Sequence, residues 1–205
     1  MLLNYNPIIL STIIRVAPRI LGQIKSEIVI AASKLETDDR SYLYYFDNCE
    51  VFTRRASFVS KVSNYIPPKT IRLDIALKQT IQTLSREDKE SLKYIFLILD
   101  RYGIKEEYGA IQGLALDAKL DAGCNIIFCD LKRNKDLEKL CTLAAVKYLQ
   151  CNAKSLGQEM INTYYPEEDR TTIDEEFKNK YGKTPYEARK ELKEKYESIN
   201  DNGSL

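Results

Sequence analysis

Three aspartates each close a short apolar or aromatic run. Asp47 ends S-Y-L-Y-Y-F-D, Asp100 ends Y-I-F-L-I-L-D and Asp130 ends N-I-I-F-C-D. Carboxylates gathered at one end of a set of strands can hold Mg²⁺ ions, as in phosphodiesterases and nucleases. The same acids can instead be strand ends satisfied by nearby backbone N–H groups. Histidine is absent, which removes the commonest general base and metal ligand. Any catalysis would fall to carboxylates, Cys, Ser, Tyr or Lys. The five cysteines, Cys49, Cys124, Cys129, Cys141 and Cys151, form no C-x-x-C pair. They read as free buried thiols in a reducing, cytoplasmic setting. No G-x-x-x-x-G-K-[ST] loop occurs, and no G-x-G-x-x-G follows a strand, so nucleotide sites of those kinds are excluded.

Composition narrows the partners. The formal net charge is +1 over 205 residues, with 44% hydrophobic and 30% charged residues. That balance suits a soluble globular chain and gives no basic excess for nucleic acid or an anionic membrane. No stretch reaches the roughly 18 uninterrupted apolar residues of a membrane span. Ile8 to Leu21 is apolar, but Arg15, Pro18 and Arg19 interrupt it and no basic segment precedes it, unlike a signal peptide.

The elements that position the aspartates follow from periodicity. Ile13, Val16, Ile20, Ile24, Ile28 and Ala31 recur at helical spacing, which predicts a helix within Ile8–Leu35. Ser41–Asn48 and Cys49–Thr53 have strand propensity, with Asp47-Asn48 as turn residues between them. Short helices are expected over Ser57–Tyr65 and Ile71–Leu84, separated by Pro67-Pro68. Tyr94–Leu99 and Asn125–Cys129 read as strands buried on both faces. Helices are expected within 104–123, over Lys135–Ala145 and over Lys154–Tyr165, with a last strand at Val146–Gln150. Strands alternating with helices predict an α/β sheet with helices on both faces. Residues 1–165 form that domain. Residues 166–205 read as a charged helical tail, with Thr184-Pro185 as a helix start.

The order of S-Y-L-Y-Y-F-D-N-C-E-V-F, T-I-R-L-D-I-A-L, Y-I-F-L-I-L-D-R-Y-G and N-I-I-F-C-D resembles the von Willebrand factor type A (VWA) domain family. The resemblance spans Leu2 to Tyr165. It implies a Rossmann-like open sheet, mostly parallel, with one antiparallel edge strand, and a metal-ion-dependent adhesion site at the strand ends. In the family that site takes a D-x-S-x-S motif after the first strand, a threonine before T-x-x-D-x-A-L, and the aspartate of T-D-G. Here D-x-S-x-S falls on Asn4-Tyr5-Asn6-Pro7-Ile8, after a first strand of Met1–Leu3 only. Thr70 stands one residue out of step, and Asp100 is followed by Arg101 rather than glycine. Thr70 and Asp100 are the residual Mg²⁺ ligands on this reading, and Arg101 could serve as an internal cation beside the carboxylate.

The resemblance therefore implies a non-catalytic protein-binding module with a degenerate metal site. Its partner is another protein, and a homo-oligomer is compatible with it. The expected binding surface is Asn4, Asn6, Thr70, Asp100, Arg101, Tyr102 and Tyr108, with the tyrosines as interface anchors. The alternative is a Mg²⁺-dependent phosphodiesterase or nuclease built on Asp47, Asp100 and Asp130.

Overall fold

The computed structural model describes residues 6–35, 39–45, 48–66, 71–100, 105–120 and 122–165, together with 179 and 182. The chain divides into two compact units, Met1–Tyr164 and Tyr165–Leu205. Within the first, the order is β1 (Ile8–Arg15), α1 (Pro18–Ala32), β2 (Arg40–Tyr45), β3 (Asn48–Phe52), α2 (Arg55–Ser63) and α3 (Leu73–Leu84). It continues with β4 (Leu92–Leu99), α4 (Lys105–Leu120), β5 (Cys124–Asp130), α5 (Lys135–Ala144), β6 (Lys147–Gln150) and α6 (Leu156–Tyr164).

The strands form one six-stranded sheet in the order β3-β2-β1-β4-β5-β6. All neighbours run parallel except the β2–β3 hairpin at one edge, where Tyr45 pairs with Asn48. β4 and β5 lie side by side in the same sense, Leu97 opposite Phe128. Successive side chains alternate between faces. Ile95, Leu97 and Phe128 pack toward α3, α4 and α5, with Leu77, Ile111 and Leu137. Phe96, Ile98 and Ile127 pack toward α1, α2 and α6, with Ile28, Phe58 and Met160. The sheet is thus buried on both faces between two helical layers, as expected for parallel strands.

The start of the chain departs from the expectation. Ile8–Arg15 is not helix but the central strand β1, flanked by β2 and β4 and buried along almost its whole length. A fully buried strand shows no polar alternation, so its apolar run is indistinguishable by period from a buried helix. The helix begins only at Pro18, whose fixed φ and missing N–H suit a first helical position. The first strand therefore ends at Arg15, and the motif that follows it is Arg15-Val16-Ala17-Pro18-Arg19 rather than Asn4–Ile8.

The first and last helices of this unit are tied together. The Glu27 carboxylate, 5% exposed, accepts the Gly157 N–H at 2.9 Å and so caps the start of α6 from the middle of α1. A Cβ on Gly157 would meet the Glu27 carbonyl oxygen at 2.6 Å, so only glycine lets the helices approach this closely.

Candidate functional site

From the central pair β1 and β4 the chain builds outward in opposite directions, through β2 and β3 on one side and β5 and β6 on the other. Such a reversal opens a crevice at the strands' carboxyl ends, where α/β sheets bind ligands. Asp100 lies there, one residue past the end of β4. It is 2% exposed, and its Oδ1 accepts the Ala17 N–H at 2.7 Å, which ties the end of β4 to the link between β1 and α1. Its Oδ2 is buried and accepts no hydrogen bond among the described residues. Lys132 Nζ stands 3.8 Å from Oδ2, close enough to offset charge but too far to donate a hydrogen bond.

Asp130 ends the neighbouring strand and serves a different purpose. It pairs in register with Leu99, so its side chain leaves the sheet on the α3–α5 face, whereas Asp100 turns toward α1. Its Oδ1 accepts Lys132 N–H at 2.9 Å, and its Oδ2 accepts Asn134 N–H at 2.6 Å and the Tyr148 hydroxyl at 2.8 Å. Burial, then the bond to Asp130, hold the Tyr148 hydroxyl protonated well above its ordinary range. Asn134 in turn caps α5, accepting from Asp136 and Leu137 N–H. The turn is tight enough to force Arg133 to φ 59°. Asp130 therefore shapes the loop that delivers Lys132, and its oxygens are taken.

A cleft of about 490 Å³ opens beside Asp100. Arg19 and Lys132 bring positive charge to it, Gln150 and Asn152 bring amides, and Ile20 and Leu131 bring apolar surface. Arg19 and Lys132 are solvent-exposed, so the exposed charge here is basic and the acid lies behind it.

The expected site residues fare unequally. Asp100 occupies the strand-end crevice. Asn6 precedes β1 and lies at the opposite, amino-terminal edge of the sheet, where Pro7 carbonyl accepts Leu92 N–H. Displacing the first strand by several residues moved it there, so Asn6 and Asp100 share no surface. Asn4, Asp47, Thr70, Arg101 and Tyr102 lie outside the described residues, as does the side chain of Tyr108 on α4. The described cation beside Asp100 is Lys132. Arg19, Lys132, Gln150 and Asn152 were missed by the sequence reading, although Pro18 signals where β1 must stop and D-L-K-R-N is a strand end running into a helix cap.

Do these residues fit the Mg²⁺ that the VWA resemblance implies? Arg15-Val16-Ala17-Pro18-Arg19 offers no side-chain oxygen where the family places an acid and two serines. An ammonium stands near the open carboxylate oxygen. Among the described residues no group of three or more His, Cys, Asp or Glu could hold a metal ion. A hard divalent cation needs about six oxygens, so the described residues do not fit it. Asp100 and Asp130, facing opposite sides with Asp130 fully engaged, do not make the paired-carboxylate centre of the alternative enzyme reading.

No protein-family model matches the chain, and no curated protein sequence matches it. Its fold is similar to solved structures at low identity. One is the pilus adhesin SpaC from Lactobacillus rhamnosus GG, with TM-score 0.59 and 11% identity over 78% of this chain and 30% of the adhesin. The TFIIH p34 N-terminal domain, a VWA-like fold, gives 0.53 and 11% over 76% of this chain and 97% of that domain. Proximal thread matrix protein 1 from the mussel byssus gives 0.59 and 10% over 78% and 46%. The chain thus spans less than half of the adhesin and of the matrix protein, and at these identities the likeness is one of fold. Among the described residues no helix is long and apolar enough to cross a membrane.

Proposed function

We propose that the chain is a non-catalytic protein-binding module of the VWA type that docks its partner through the carboxyl-terminal edge of the sheet without a bridging metal. One observation carries this reading: the stretch after β1 has lost every oxygen ligand, while Lys132 faces the remaining acid, Asp100. In this reading the ammonium takes over the charge of an ion. The docking rim comprises Arg19, Asp100 and Lys132. Thr70, Arg101, Tyr102 and Tyr108 are the further contact residues that the sequence suggests for the same scheme. In this reading residues 166–205, a charged stretch of sequence, serve a second contact or self-association. The likeness to the TFIIH p34 domain supports a protein partner, and the five buried thiols, which form no disulfide, support a reducing, cytoplasmic setting.

The test is affinity capture on the immobilised intact chain, using extract from the cells that make it. The wild type is run with EDTA and with Mg²⁺, beside an R19E/K132E variant. A partner retained in EDTA and lost with charge reversal supports the reading. Capture that needs Mg²⁺, or that ignores the charge reversal, retires it.

A further inference from the structure

We propose that the cleft beside Asp100 binds a small dipolar molecule, an amino acid or a homologue carrying one ammonium and one carboxylate. Its ammonium donates to Asp100 Oδ2, and its carboxylate is held by Arg19 and Lys132. This goes beyond the protein-docking reading and does not depend on it.

The demand of each wall fixes the ligand's chemistry. Among the described residues Asp100 Oδ2 is a buried acceptor without a donor, and such an atom forgoes a charge-assisted hydrogen bond. It calls for an N–H or O–H group at the back of the cleft. The sister oxygen is already fixed by Ala17 N–H, so the carboxylate is held in place. The mouth makes the opposite demand. Arg19 and Lys132 line it, and α1 begins there with no capping side chain and no acid in its first turn. A helix start in that condition favours negative charge. A simple anion would meet the Asp100 carboxylate and leave Oδ2 unmet. A simple cation would have to pass two positive side chains. A molecule with both charges satisfies both walls at once. The cleft volume, about 490 Å³, lies within the ~300–1,000 Å³ of small-molecule sites. Ile20 and Leu131 can cover a short methylene chain, and the Gln150 amide offers one further polar contact.

The reporter is built in. Ala17 N–H donates to the same carboxylate, so its amide resonance in the isotope-labelled intact chain reads what happens at Asp100. The probes are glycine, γ-aminobutyrate and ε-aminocaproate, which vary the charge spacing, with butanoate and butylammonium as single-charge controls at fixed ionic strength. A saturable Ala17 shift with at least one zwitterion and with neither control is expected. D100N, whose amide oxygen still accepts from Ala17, should weaken that binding at least about tenfold. K132M provides an independent sign: it should weaken the zwitterion and turn butylammonium into a binder, because the competing ammonium is gone. Butanoate binding as well as the zwitterions would overturn the proposal. So would no saturable shift with any of the three, or equal binding by D100N and wild type.

Discussion

The turn after β5 and the crevice after β4 each bury one aspartate at the end of a central strand, yet they spend it differently. Asp130 gathers two backbone N–H groups and a tyrosine hydroxyl, and every oxygen is engaged. Among the described residues Asp100 gathers one N–H and faces a distant ammonium, leaving an oxygen open. A buried charge surrounded by donors is architecture, because removing it strands all of its partners. A buried charge with a vacancy is held in place by its surroundings but not fully satisfied by them. That incompleteness, next to a cleft, is what marks the β4 end as the place to look for a ligand.

The sharpest way to break the contrast is to delete each acid. D130A should lose roughly 3 kcal/mol in urea unfolding, since Lys132 N–H, Asn134 N–H and the Tyr148 hydroxyl all lose their acceptor. D100N should change stability by less than about 1 kcal/mol, as its amide oxygen keeps the Ala17 bond. Equal losses would mean that both acids are architectural.

Alkaline pH gives a second, graded test. Burial, then the nearby Asp130 charge, push the Cys141 thiol up from 9.0 to about 12. Burial alone is the main cause that lifts Cys49 and Cys124 to about 11. The folded state therefore holds these protons after the unfolded chain has released them. Stability is full below about pH 9 and falls as pH rises toward these raised values. Urea midpoints followed upward from about pH 8 should show that decline. D130N should soften it by removing the charge beside Cys141, and D100N should leave it unchanged.

Smaller effects refine the picture. R133G should raise stability by about 1 kcal/mol, because glycine adopts φ 59° without the crowding an arginine Cβ suffers. The Asp130 turn would then be easier to form, with the Asp100 crevice untouched. The smallest expected effect is that of Mg²⁺: millimolar additions should leave the melting midpoint where it is. An occupied site at a hundred times its dissociation constant would instead add about 2.7 kcal/mol.

Much of the fold was legible because its signals are local. β4, β5 and the β2–β3 hairpin carry β-branched and aromatic runs closed by turn residues, and the VWA resemblance added the mostly parallel sheet with one antiparallel edge. β1 was misread because Ile8–Arg15 is buried on both faces and so lacks the alternation that distinguishes a strand. That single error carried the site with it: the motif after β1 was placed on Asn4–Ile8, and Asn6 was assigned to the wrong edge. Asp100 was legible as a strand-end acid. Lys132 was not, because its approach depends on how Asp130 folds the turn behind it, a three-dimensional cause with no periodic trace. The opposite faces taken by Asp100 and Asp130 follow from strand register, which spacing within either strand does not reveal.

The clasp between Glu27 and Gly157 also bears on how the chain is made. Donor and acceptor are 130 positions apart, so during synthesis the first helix is exposed long before its cover emerges from the ribosome. Ile30 lies against Gly157 and the Ala31 carbonyl accepts the Tyr164 hydroxyl, so nascent chains that stop before α6 leave this side of α1 uncovered. Contacts of such long sequence separation slow folding and favour chaperone capture of the growing polypeptide. Stop codons placed before Leu156 should accordingly yield insoluble product, however intact the upstream strands may be.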